Sequence, residues 1–326
     1  MTNSPIADLS YRNYDGPLMG TSMRWWVIAK STMKAAFKKK SMWVAMSFSA
    51  WYYLAMIFVL YFVNQASQAA VPRPGQPSQM AAYLSRVIWK DQFVTGFSYG
   101  QIMYLVIALI IGAGAIANDN RANALLVYLS KPCTKTDYLF GKWFGVFLPL
   151  FLVMLIPSTV FYAYGALSFR TEGFIYEDPF LFPKVVFSFA LGAALFSSLV
   201  IGFSSLFKQG RIAGATLAGL YFISYFFSTL MHVTFLISEE RMRRHPGTGH
   251  LANQASGMMS YVSVDGLNIG MAKAILHTDG SIPFGLVGNQ PMVPHPSFFI
   301  VVILLGVCAT SLFVAWTRIR AVEVIG

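Results

Sequence analysis

The sequence predicts an all-α integral membrane protein: six transmembrane helices, both termini in the cytosol, an amphipathic interfacial helix before the first span, and a long outer loop between spans five and six. Three observations carry this reading. Of 326 residues, 56% are hydrophobic and only 11% charged, against about 25% charged in soluble domains, so much of the chain belongs in lipid. Six apolar runs, 43–63, 97–117, 143–164, 185–207, 212–237 and 298–316, reach the roughly 20 residues that a helix needs to cross a hydrocarbon core. The third observation is the charge bias. With the amino terminus inside, the inner segments hold fifteen of the 24 Lys and Arg against five acids, while the outer segments hold nine against eight. Basic residues concentrate on the cytosolic side of spans. The net charge of +11 therefore reports topology, not a nucleic-acid partner.

The elements follow in order. Residues 1–22 form a polar tail. Within 23–40, Trp25, Trp26, Ile28, Ala29, Met33, Ala36 and Phe37 alternate with Arg24, Lys30, Lys34 and Lys38–Lys40. This spacing suits a helix lying among headgroups, with Trp25 and Trp26 as anchors and Lys30 and Lys34 facing anionic lipid; the alternative is an ordinary basic flank. The first span begins about forty residues in, with no small-residue cleavage site after it, which predicts a retained span and not a signal peptide. The six-span domain occupies 41–326. Its outer segments are 64–96, with a Pro-rich start and a helical stretch over 80–92, the short 165–184, and the long 238–297. The last predicts two short helices, 255–262 and 267–277, in a small external cap.

The spans hold almost no charge; only His232 is of a residue type that can titrate near neutrality. Ion-coupled pumps need intramembrane ionisable groups, so coupling to protons or sodium is disfavoured, and an apolar or amphiphilic cargo is the expectation. Small residues instead recur every four positions: Ala190, Ala194, Ser198 and Gly202 in the fourth span, and Gly210, Gly214 and Ala218 at the start of the fifth. Such rows let helices approach closely in lipid, within one subunit or across a dimer seam. Cys133 lies in an inner segment and Cys308 near the middle of the last span, so at about 1.5 Å of rise per residue no disulfide between them is predicted. The five histidines have no metal-ligand spacing. No Ser/His/Asp set or paired carboxylates stand at catalytic spacing, and no metal or catalytic residue is assigned.

The segment 118–142 carries the most information. Asn118, Asp119 and Asn120 offer side-chain oxygens for a helix start, and 122–129 propagates with Leu125, Leu126 and Leu129 on one face. Pro132 stops it, and Thr136 or Asp137 caps the next helix. A helix this short neither spans nor buries its own leucines. It lies on the membrane, packs on span ends, or docks into a partner.

Ile116-Ala117-Asn118-Asp119-Asn120-Arg121-Ala122-Asn123-Ala124-Leu125-Leu126-Val127-Tyr128-Leu129-Ser130-Lys131-Pro132, followed by Asp137-Tyr138-Leu139-Phe140-Gly141-Lys142, resembles the corresponding inner segment of ABC transporter permeases of the ABC-2 exporter type. The resemblance extends to six spans, cytosolic termini and a basic amphipathic helix before the first span. Three positions depart from the family pattern: its acidic residue is shifted or replaced within 118–120, its Gly-Thr pair reads Asn123-Ala124, and its basic residue after Pro132 sits at Lys135. The resemblance implies a coupling helix seated on a separate cytosolic ATPase subunit, with Asp119, Arg121, Leu125, Leu126, Tyr128 and Leu129 as the docking surface. It also implies a second permease subunit, identical or related, in the cytoplasmic membrane of a prokaryote. The chain has no G-x-x-x-x-G-K-[ST] phosphate loop; Gly141-Lys142-Trp143 is a span boundary. ATP and Mg would thus be bound by the partner, with no cofactor on this chain. The alternative is a non-transporting membrane anchor or accessory subunit of another complex.

Overall fold

The computed structural model of the chain describes residues 23–69, 87–124, 134–170, 174–176, 178–244, 250–280 and 293–319. Nearly all of them are helical, with no strand among them. In chain order, α1 is Arg24–Phe37, α2 Lys40–Ser49, α3 Trp51–Ala69, α4 Trp89–Gly112, α5 Ala117–Arg121 and α6 Lys135–Ser168. Then come α7 Leu181–Leu206, α8 Gly210–Arg244, α9 His250–Met259, α10 Val264–Leu276 and α11 Phe299–Arg318. Among the described residues, six stretches are long and apolar enough to cross a membrane: Lys40–Ala66 (α2 running into α3), Trp89–Arg121, Lys135–Ser168, Leu181–Leu206, Gly210–Met242 and Phe299–Arg318. Each overlaps one apolar run of the sequence. Most overrun it at their ends, because the flanking polar residues continue the helical hydrogen bonds.

The fourth span is the centre of the bundle. Of the most apolar window of α7, 78% is buried, against 17% for α8 and 28% for α11; the latter two keep broad apolar faces for lipid or another subunit. Small residues make the central contacts possible. A Cβ on Gly192 would lie 2.6 Å from the Phe97 ring, and one on Gly202 3.0 Å from the Ser311 carbonyl oxygen of α11. Ser198 in the same row accepts a bond from Trp143 Nε1 at 3.0 Å. Ser198 and Gly202 thus serve neighbours within this subunit, while Ala190 and Ala194 are half-buried.

The helix α1 packs along the start of α6. Ile28 and Ala29 are buried against Gly141 and Gly145, where an added Cβ would lie 2.6 Å from the Trp25 carbonyl oxygen and 2.8 Å from Thr32. The Trp25 ring meets Phe140 and Phe144 edge-on, with centroids 5.0 and 5.4 Å away, and Trp26 lies 6.1 Å from Phe144. Lys30 and Lys34 are exposed on the opposite face. The end of the bundle holding Lys39, Gly114, Lys142 and Gly210 is called the inner end, after the charge bias.

The largest departure from the sequence reading is at the outer end. The two predicted short helices are present as α9 and α10, but they do not form an external cap. α9 runs back along α8: Asn253 bonds Ser238, Gly257 faces Phe235, and Ser228 donates to the Ser260 carbonyl. The chain turns at 260–263, and α10 returns outward, with Asn268 donating to Gln101 at 3.1 Å and Thr278 bonded to Asp91 near the start of α4. Every residue of α10 except Val264 and Ile269 is buried. The physical reason is glycine: a Cβ on Gly266 would lie 2.6 Å from the Ser260 carbonyl oxygen, and one on Gly270 2.5 Å from Ile300. The pair forms a re-entrant hairpin whose tip reaches mid-bundle.

Candidate functional site

The inner end of the second span is built around one serine. After Gly112, α4 breaks for a turn before α5 begins at Ala117. A helix break buried without partners would orphan backbone groups. Ser204 of α7 supplies them: its Oγ accepts from the Ile116 and Ala117 amides, both at 3.0 Å, and donates to the Ala113 carbonyl at 2.9 Å. Lys39 Nζ donates to the Ile110 carbonyl at 2.6 Å. Against the same turn lies the start of α8, where a Cβ on Gly210 would be 2.8 Å from Gly114 Cα and one on Gly214 3.3 Å from Ala113 Cβ. Gly210 and Gly214 are therefore packed within the subunit; Ala218 is half-buried one turn on.

A second tie joins α5 to the third span. Asp119 Oδ2 lies 2.8 Å from Lys142 Nζ and accepts from the Tyr138 hydroxyl at 2.7 Å. The Lys142 ammonium also sits 5.6 Å from the Tyr138 ring centroid. The lysine side chain is 9% exposed and the aspartate 20%. A pair this shielded is held in one geometry, and removing one partner leaves a poorly solvated charge. The third span starts with a capping box at Thr134, whose Oγ1 accepts from the Asp137 amide while Asp137 Oδ2 accepts from the Thr134 amide. The predicted cap at Thr136 or Asp137 is thus moved to Thr134, because Asp137 stands at the third helical position, where it can reciprocate.

The family model for ABC-2 family transporter proteins matches residues 26–318. The chain belongs to this family. The protein is accordingly a membrane permease of an ABC transporter and an integral membrane protein, and membership implies association with an ABC ATPase. The comparison with curated proteins returned no significant match.

In this permease, the residues expected to dock are differently disposed. Asp119 faces inward, committed to Lys142 and Tyr138, whereas Arg121 is exposed with Asn118, Ala122 and Asn123. Leu125, Leu126, Tyr128 and Leu129 lie outside the described residues. Asn118–Asn120 lie inside α5 (Ala117–Arg121), whose N-cap is Ile116, and the predicted helix over 122–129 falls mostly outside the described residues. Asn123 has φ +51°, a left-handed conformation that asparagine tolerates better than most residues.

The sequence reading missed the polar interior at the other end. Asp91, Asp265 and Lys273, assigned to outer segments by sequence, are 1%, 7% and 9% exposed. The hairpin carries two of them between the spans, so nearly charge-free spans do not make a charge-free bundle. Asp265 and Lys273 line a cavity of about 390 Å3 between α4, α8 and the hairpin, together with Tyr99, Tyr225 and His232. Burial raises the Asp265 carboxyl above the usual range, opposed by the Ser263 hydroxyl and the amides of Asp265 and Gly266. Burial lowers the Lys273 ammonium to about 8, opposed by Asp279 and Asp91. Alternation in the 264–276 segment, with glycines four apart and an acid in its first turn, was the available sequence signal.

Proposed function

We propose that this permease couples ATP hydrolysis by a separate cytosolic ATPase to export across the cytoplasmic membrane of a prokaryote, with both termini in the cytosol and two permease subunits per transporter. ATP and Mg bind the ATPase; this chain contributes no catalytic group. The observation that supports the reading best is the double tie on α5. Ser204 joins it to the fourth span, and Asp119 joins it to Lys142 at the base of the third. Force applied to 118–142 then reaches two spans directly, while Arg121 stays exposed for the partner. Closure of two ATPase subunits on nucleotide would draw these segments together and tilt the spans attached to them.

The test is co-purification and ATPase stimulation with the permease replaced by Leu125→Asp/Leu126→Asp. Loss of both, with the variant still inserted and folded, is expected. Unchanged co-purification and stimulation would remove the coupling role from this segment.

A further inference from the structure

The outer chamber contains a buried carboxyl group with an unpartnered oxygen. Its lysine is provided for: Lys273 Nζ donates to the Val293 carbonyl at 3.1 Å and contacts the Tyr261 hydroxyl at 3.4 Å. It also sits 5.7 Å from the Tyr261 ring centroid and shares the outer end with Asp279 and Asp91. Asp265 stands eight residues earlier on α10, a rise of about 12 Å towards the bundle interior. It is 7% exposed. Its Oδ1 has no hydrogen-bond partner, and among the described residues no cation pairs with it. The Tyr221 hydroxyl, within the electrostatic reach of Asp265, is also buried without a partner.

A buried carboxylate with an empty valence in a cavity is stabilised by a cation with hydrogen-bond donors. The cavity walls add what an ammonium recognises. Tyr99 and Tyr225 both line it and are 46% and 42% exposed, so ring surface is available. The rings attract cations, as Lys273 over Tyr261 already illustrates. Ser98, Ser228 and Thr229 supply hydroxyl oxygens around the same space. An ammonium group has three N–H donors and no acceptor, which matches a wall of oxygens. An anion would meet Asp265 at one end and an already bonded lysine at the other. The volume of about 390 Å3 lies within the range of small-ligand sites.

We propose that this chamber is a binding site for a small primary amine in its ammonium form, with the nitrogen on Asp265 and the rings of Tyr99 and Tyr225 flanking it. The site needs no ATPase, so it stands or falls separately from the coupling reading.

The experiment is calorimetric titration of the full chain in phosphatidylcholine nanodiscs with ethanolamine, its neutral counterpart ethylene glycol, and the anion glycolate. Ethanolamine is expected to bind saturably, and the other two are not. Asp265→Asn is expected to weaken ethanolamine about tenfold or more, and Tyr225→Ala about fivefold, while Lys273→Met does not weaken it. Should Asp265→Asn fail to fold, Tyr225→Ala carries the test, because its ring is partly exposed and lies off the hairpin. Three results each overturn the proposal: saturable binding of glycolate in place of ethanolamine, ethanolamine affinity in folded Asp265→Asn or, failing that, Tyr225→Ala equal to wild type, or no saturable heat from ethanolamine with folded wild-type protein.

Discussion

Replacing Lys142 by Met tests the tie that links the inner segment to the third span. At 2.8 Å and an effective permittivity of 20, the attraction between the two charges is about 6 kcal/mol. Most of that offsets the desolvation of two charges, and the 20% exposure of Asp119 lets water relieve part of the loss when its partner is removed. The net cost of Lys142→Met is then about 2–3 kcal/mol, below the range for fully buried pairs. Lys142 makes other contacts besides this one, so a double-mutant cycle with Asp119→Asn is needed to isolate the pair. The assay is unfolding in mixed micelles at rising SDS fraction, run beside stimulation of the partner ATPase. A coupling energy of about 2 kcal/mol is expected, with each single variant lowering stimulation. Strictly additive single-variant costs would refute the reasoning, because they would mean that the aspartate and lysine do not sense each other.

Ser204→Ala strands the buried amides of Ile116 and Ala117, and at about 1–3 kcal/mol per orphaned group it should be among the most damaging single-atom deletions, read in the same SDS titration. Gly210→Ala places a Cβ 2.8 Å from Gly114 Cα and should cost about 1–3 kcal/mol, whereas Gly219→Ala, with open space around it, should be neutral or stabilising; equal effects at the two sites would count against close packing there. At Asp178, burial opposes ionisation, but the bond and charge of Lys184, the Phe180 amide and the charge of Lys90 together hold the carboxyl below its usual range. A depressed carboxyl stabilises the fold above the unfolded-state value of 3.8 and loses that contribution as pH falls through the native value. Wild type should therefore lose more stability than Asp178→Asn on acidification below pH 3.8, and parallel profiles would show that the cluster contributes nothing.

The spans were legible because lipid imposes a strong rule: apolar runs must close their own backbone hydrogen bonds, and six runs became six crossing stretches. Contacts were less legible, and for a physical reason. The small-residue rows announced close approach without naming the partner; only in three dimensions does Gly210 meet Gly114 and Gly202 meet Ser311. Asp119 read as a surface charge, yet Lys142, twenty-three residues on, turns it inward. Ser204 was invisible, since a serine near a span end is ordinary until a helix break faces it. The hairpin misled most. A loop of about sixty residues with charges and short helices reads as external when judged by composition, whereas Gly266 and Gly270 let two of its charges enter the bundle.

That hairpin also constrains how the molecule is assembled. It lies in the chain between the fifth and sixth spans, and its buried face needs both: Ser260 takes a bond from Ser228 of α8, while Gly270 rests against Ile300 of α11. The segment must therefore wait until the last span has been made before it can dock. Its return between the helices is a docking step and not part of threading. The half of the bundle that holds the hairpin closes only once α11 is in place, after the framework of α4, α7 and α8 can already have formed.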